Sequence, residues 1–401
     1  MKWTRRQFLR TAGAMGSAGL AGSAGILNLI QGTGCGGSDD NKPPDYHPDP
    51  GKDLVNLVGD IHVHTALSDG DQSPDFALRF ARDVSKLDFC CLTDHSEVIA
   101  ADEMRALEYY KSLPAKYDDP GKFSVLYGYE WTNTVYGHRN VYSTDNSIPF
   151  LPASEAAYFD IENLWKNLSG YNVITVPHHP MIWSTKIWWD YTNPEMEPLV
   201  EFYSKWGTSL RFGNPRPVFN SRKDNAVFKA FSAGKRYGLI ASTDSHASRP
   251  ASILLEDRPQ SLLYAQPGTV GVWAGAHTRE AIFEALKKRR CYGMTGTKVN
   301  LAFAVNDSNM GSDIQASASP TISFKVSSET IIKQVTVIKF SGGLAVNLKV
   351  FDPDSNQSSQ SFADDTFLED AGYTVMVNLD NGDMAIASPV WVKKIKSASV
   401  I

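Results

Sequence analysis

The residues best able to do chemistry in this 401-residue sequence are its histidines and the acids beside them. Seven of the nine histidines fall in five short motifs. The first is Asp60-Ile61-His62-Val63-His64, closed by Ser68-Asp69-Gly70; the second is Leu92-Thr93-Asp94-His95. Gly128-Tyr129-Glu130-Trp131-Thr132 follows, with His138-Arg139-Asn140 soon after, then Val176-Pro177-His178-His179-Pro180 and Ser242-Thr243-Asp244-Ser245-His246. Side chains two residues apart on an extended backbone point the same way, so His62 with His64, and Asp244 with His246, can each close on one ion. A single His-x-His pair is weak evidence, and a lone histidine is more often structural; five such motifs together point to metal binding.

These motifs need a scaffold that delivers them to one place. Strand-like segments are expected at 54–62, 88–93, 123–130, 172–177, 198–203 and 237–243, and helical ones at 74–86, 101–112, 161–168, 225–233 and 279–290. Alternation of this kind implies a parallel sheet or barrel. Nearly every motif sits at the C-terminal end of a strand, the edge at which barrel enzymes assemble their sites.

This constellation resembles the polymerase-and-histidinol-phosphatase superfamily of metal-dependent phosphoesterases, the PHP domain, carrying its four ordered motifs over about residues 57–250. Gly128–Thr132, the Gly137-His138-Arg139-Asn140 run and Glu201-Phe202-Tyr203-Ser204-Lys205-Trp206-Gly207 resemble an exported subfamily with a β-rich tail. The resemblance implies a distorted (β/α)7 TIM-like barrel holding three divalent ions, Zn, Mn or Fe. Carried over residue by residue, it places His62, His64, Glu130 and Asp244 on the first ion. Glu130 would bridge to a second held with His138 and His178, and Asp69, His95 and His246 would hold the third. His179 is a rival ligand to His178, or a proton donor. Arg139, and less strongly Lys205, are the candidate cations for phosphate, which a planar guanidinium grips in two-pronged fashion. Asp60 and Asp94 are candidates for orienting imidazoles. The implied reaction is hydrolysis of a phosphomonoester or phosphodiester by a hydroxide bridging two ions. Trp183, Trp188, Trp189, Tyr191 and Trp206 could wall the substrate, or simply close the barrel mouth.

The rest of the chain frames this core. Hydrophobic residues make up 42% and charged residues 21%, as in an ordinary globular protein. The net charge is −5, and residues 1–35 carry Lys2, Arg5, Arg6 and Arg10 with no acid, which leaves −9 on the remainder and argues against a general nucleic-acid surface. Thr4-Arg5-Arg6-Gln7-Phe8-Leu9-Arg10 and the Gly/Ala run after it resemble a twin-arginine export signal, implying a partner in that export machinery and a periplasmic or cell-surface location. Gly32-Thr33-Gly34-Cys35 resembles a lipoprotein box, with Gly32 where Leu is usual, so Cys35 is a candidate lipid anchor to the membrane. Residues 36–53 read as a linker, 54–297 as the barrel and 298–401 as a small immunoglobulin-like β-sandwich. Cys90, Cys91 and Cys291 read as buried free thiols. Two other readings stand beside the phosphoesterase: a metal-dependent amide or ester hydrolase, and a non-catalytic metal-containing surface-binding protein.

Overall fold

The computed structural model describes residues 53–101, 104–252 and 266–396. The expected signal and Cys35 lie outside these residues, as does the linker apart from Asp53. No described helix is long and apolar enough to cross a membrane.

Three strands start the sheet: β1 (Val55–Asp60), β2 (Phe89–Cys91) and β3 (Ser124–Trp131), paired in parallel in that order. Helices complete the crossovers between them. α1 (Pro74–Arg79) begins where the Ser73 hydroxyl accepts from the amide of Phe76 and Pro74 supplies a preset first turn. α2 (Ser96–Ala101) and α3 (Met104–Tyr117) fill the second crossover. β4 (Arg139–Ser143) then runs antiparallel to β3, and β5 (Val173–Pro177) antiparallel to β4. The link between β3 and β4 is too short for the dozen or more residues that a parallel crossover needs, so the chain folds straight back. α4 (Ile161–Leu168), capped by the Asp160 carboxylate, packs Ile161, Leu164, Trp165 and Leu168 into the core.

β6 (Leu199–Ser204), β7 (Gly207–Thr208) and β8 (Gly238–Ala241) form a second, three-stranded sheet with α5 (Val227–Ser232) beside it. Among the described residues, isolated bridges join it to the first sheet: His178 with Glu201 at one seam, and Val63 with Ser245 at the other. The fold is mixed α/β with a large mixed sheet, and closure of the expected distorted (β/α)7 TIM-like barrel is not confirmed. The parallel strands curve round a common site, but β4 interrupts them and the two seams are held at single points.

β9 (Gly268–Ala274) pairs antiparallel with β1, and β10 (Cys291–Thr295) with β9, with α6 (Arg279–Lys287) between them behind a Thr278 cap. The remaining strands are β11 (Val299–Val305), β12 (Ser308–Asn309), β13 (Asp313–Ala316), β14 (Thr321–Ser341), β15 (Leu344–Phe351), β16 (Ser355–Ala363), β17 (Ala371–Leu379), β18 (Met384–Ala387) and β19 (Val390–Lys394). The first half of β14 pairs with β11 and β16, the second with β15 and β17. Ile322, Phe324, Val335 and Val337 are buried in it, and so are their neighbours Ser323, Thr336 and Ile338, so the strand is covered on both faces there. β18 pairs with β10, so one 16-stranded mixed sheet runs through position 297 without a break. The described residues belong to a single compact unit. Cys90, Cys91 and Cys291 are buried and free, and burial pushes all three thiols up.

Candidate metal centre

The ends of β1 and β8 are stitched together at the site. The amide of His64 donates to the Ser245 carbonyl at 2.9 Å, and that of Asp244 to the His62 carbonyl at 2.8 Å. This register brings the His-x-His and Asp-x-His pairs face to face. Asp69 returns to them through a turn in which the Gly70 amide donates to the Thr65 carbonyl. A Cβ at Gly70 would lie 2.4 Å from the His64 carbonyl oxygen, so only glycine fits. Asp244 and His179 both hold left-handed backbones, with φ of 54° and 34°. Non-glycine residues in that region are held there by their surroundings, and such strain gathers at functional sites.

Glu130 is the hub. One carboxylate oxygen lies 3.2 Å from His62 Nε2 and 3.3 Å from His64 Nε2; the other lies 2.8 Å from His138 Nδ1 and 3.4 Å from His178 Nε2. Asp244 Oδ1 stands 3.3 Å from His64 Nε2. Asp69 Oδ2 lies 3.4 Å from His95 Nε2 and 3.2 Å from His246 Nε2. Four overlapping groups result, each with its ligand-type atoms within 4.8 Å of one another: His62, His64 and Asp244; His62, Glu130 and His178; His138, His178 and His179; and His64, Asp69, His95 and His246.

The donor set fits divalent metal. His138 Nε2 and His178 Nδ1 are buried without a hydrogen-bond partner, and His64 Nδ1 and His178 Nε2 have only the long approaches of Asp69 at 3.5 Å and Glu130 at 3.4 Å, an arrangement that is costly unless a cation takes the lone pairs. His62 Nε2 and His64 Nε2 face each other at 3.3 Å.

The electrostatics follow from burial among opposite charges. Burial alone would raise the Glu130 and Asp244 carboxyls, but the surrounding imidazoles hold both well below the usual carboxylate range. Burial opposes charge on His62 and His95, yet Asp244 and Glu201 raise the first well above normal, and Glu130 and Asp69 raise the second to about 9. Burial dominates at His178, pushed down to about 4 against the pull of Glu130, and at His179, pushed well down by burial and then by His178 and His138. His179 lines the cavity beside His138, and its Nδ1 lies 3.1 Å from Thr185 Oγ1.

The other expected participants lie elsewhere or act differently. Arg139 does not face the site: its guanidinium is fully buried, pairs with Glu197 at 2.8 Å, and donates to the Tyr136 and Gly137 carbonyls. Its position on β4 directs it behind the sheet into a structural ion pair, which corrects the expectation that it grips phosphate. Lys205 is buried with its amine 2.8 Å from His246 Nδ1, beside the cluster rather than on the cavity wall. Asp60 and Asp94 orient no imidazole. Asp60 takes the backbone amides of His62, Thr243 and Ala251 and the Thr243 hydroxyl, while Asp94 clamps Thr65 and Ser68. They fix the loops that carry the ligands.

The imidazole-orienting carboxylate is Glu201, which the sequence reading did not assign. Both its oxygens lie 3.1 Å from His62 Nδ1, and burial raises its own carboxyl against the pull of His62. The signal was available, since Glu201 is the one acid within the otherwise apolar run Leu199-Val200-Glu201-Phe202-Tyr203. His277, outside the motifs, bonds the Asp88 carbonyl. Of the five aromatic wall candidates only Trp206 lines the cavity of about 240 Å³ that opens on the cluster. Trp183 stacks on Arg222, the Trp188 indole donates to the Val135 carbonyl, Trp189 packs on Tyr237 and Tyr191 on Tyr136.

Comparison with known proteins adds the following. A family model described as a protein of unknown function, DUF3604, matches residues 103–203 and 255–320. An uncharacterized protein of Chlamydia trachomatis is 25% identical over 365 residues, and one of Chlamydia pneumoniae 24% over 368; each alignment covers 84% of this chain. The chain spans 57% of the length of these relatives. Among solved structures, a two-domain protein of Bacteroides vulgatus containing a predicted PHP-like metal-dependent phosphoesterase is similar at a TM-score of 0.45 and 14% identity, covering 88% of this chain and 99% of that one. The lesion-specific endonuclease PfuEndoQ of Pyrococcus furiosus is similar at 0.37 and 12%, covering 58% and 56%.

Proposed function

We propose that this chain is a metal-dependent phosphoester hydrolase with a three-ion centre, exported by the twin-arginine route to the periplasm or cell surface and tethered there through Cys35. The observation that carries the catalytic reading is Glu130. Its two oxygens are divided between two histidine pairs, and the unpartnered ring nitrogens beside them need cations. His62, His64, Glu130 and Asp244 would hold one ion, Glu130, His138 and His178 with His179 beside them a second, and Asp69, His95 and His246 the third. Bound ions of this kind supply Lewis acidity toward phosphoryl oxygens and bring the pKa of water near neutral.

The chain's own residues do the rest. Glu201 fixes the ring of His62, and Asp60 and Asp94 hold the strand ends in register. His95, Glu130, His138, His179, Asp244 and His246 all line the cavity, so a phosphoryl group entering it would meet members of all three ligand sets. Imidazole and carboxylate ligands suit Zn, Mn or Fe.

The test is hydrolysis of a matched phosphomonoester and phosphodiester by protein purified without chelator, with Asp244→Ala as the blank. Release of product from one of the pair, lost in the variant, is expected. A fully metal-loaded protein that cleaves neither would overturn the reading in favour of an amide or ester bond or of a binding role.

A further inference from the structure

The cavity is lined by two chemically different sets of residues. Beside the histidines and carboxylates it holds the apolar Ile182, Trp206 and Phe219 and the hydroxyl residues Ser184 and Thr185. Among the described residues no lysine or arginine lines it, and the amine of Lys205 stands over the Trp206 ring, 5.1 Å from its centroid. The wall is built rather than incidental. Ile182 pairs with Ser221 across an isolated bridge, and the Arg222 amide donates to the Met181 carbonyl at 2.9 Å, so the loop after β5 is pinned to the loop after β7. Val218 is anchored in a small apolar cluster with Met181, Ile182 and Ala226. The next residue, Phe219, stands out from that anchor with 54% of its surface exposed beside the cavity. A large aromatic face left open next to a pocket is apolar surface that a ligand can cover.

From this wall we infer that the substrate is a small phosphomonoester whose esterified group is a flat, uncharged ring, seated between Trp206 and Phe219 while its phosphoryl group faces the ligand cluster. The inference rests on the phosphoester reading above and narrows it. A volume of about 240 Å³ lies below the usual range for drug-sized ligands, so the wall suits one ring rather than a polymer.

Binding of two non-hydrolysable phosphonates to the metal-loaded full chain, read by calorimetry, separates ring recognition from leaving-group reactivity. Phenylphosphonate is expected to bind about tenfold more tightly than methylphosphonate, since covering a ring is worth at least that factor. Phe219→Ala, at an exposed position that the fold tolerates, should reduce the ratio at least threefold while leaving methylphosphonate affinity within twofold of wild type. Trp206→Ala should reduce the ratio further. Equal affinities for the two probes, or a ratio untouched by both substitutions, would overturn the inference and leave the phosphoester reading standing. Failure of the loaded protein to bind either probe would overturn both.

Discussion

Replacing Glu201 by Gln probes the centre without touching a ligand. Both carboxylate oxygens lie 3.1 Å from His62 Nδ1, at a site with no exposed surface, so the pair is a charge-assisted bond in a dry environment. Glutamine can still accept from Nδ1, which preserves the tautomer, but it removes the charge that makes the other ring nitrogen a stronger donor to metal. Loss of such an outer partner typically weakens metal affinity 10- to 100-fold, equivalent to about 1.4–2.7 kcal/mol. The assay is a competitive-chelator titration of stripped protein, comparing wild type, Glu201→Gln and Glu197→Gln. The last removes an equally buried carboxylate that pairs with Arg139 and makes no contact with the cluster, so it should lower stability without lowering metal affinity. A Glu201→Gln protein whose tightest site stays within twofold of wild type would refute the reasoning.

Three further outcomes are expected. In stripped protein the His95 pKa is raised to about 9, so the stability this group contributes is complete below about pH 6.5 and is lost as pH rises through 9; chemical denaturation of chelated protein should show stability falling across that window, and a flat or rising profile would contradict it. Gly70→Ala would force its new methyl against the His64 carbonyl and shift Asp69, so elemental analysis should find the ion held by Asp69, His95 and His246 missing while the others remain. Arg139→Ala leaves Glu197 charged and buried and should cost about 3–5 kcal/mol in chemical denaturation, with no selective loss of phosphonate binding; loss of phosphonate affinity in a stably folded variant would return Arg139 to the site.

The site was more legible in the sequence than the architecture around it. His62 with His64, and Asp244 with His246, could be paired because strand geometry fixes the direction of side chains two residues apart, and strand ends are easily located where apolar runs stop. Glu201 could have been found by asking why an apolar strand carries one acid. Arg139 could not be placed, because its partner Glu197 lies 58 residues away and only the reversal at β4 brings them together. That reversal depends on a short connection whose meaning is clear only once β3 and β4 are known to end where they do. The aromatic loop misled for a related reason: Trp183, Trp188, Trp189 and Tyr191 are close in sequence, but each finds a different partner, and the cavity takes Trp206 and Phe219 instead. The C-terminal segments read correctly as strands, whereas the pairing of β18 with β10 depends on edges that no local pattern records.

Metal titration of stripped protein, followed by phosphate release from a phosphomonoester, joins the ligand cluster to the reaction in one measurement. The account predicts release that is absent without metal, grows with added ion and saturates near about three equivalents per chain, with Asp244→Ala silent throughout. No release at any loading, or full release in the Asp244→Ala protein, would contradict it.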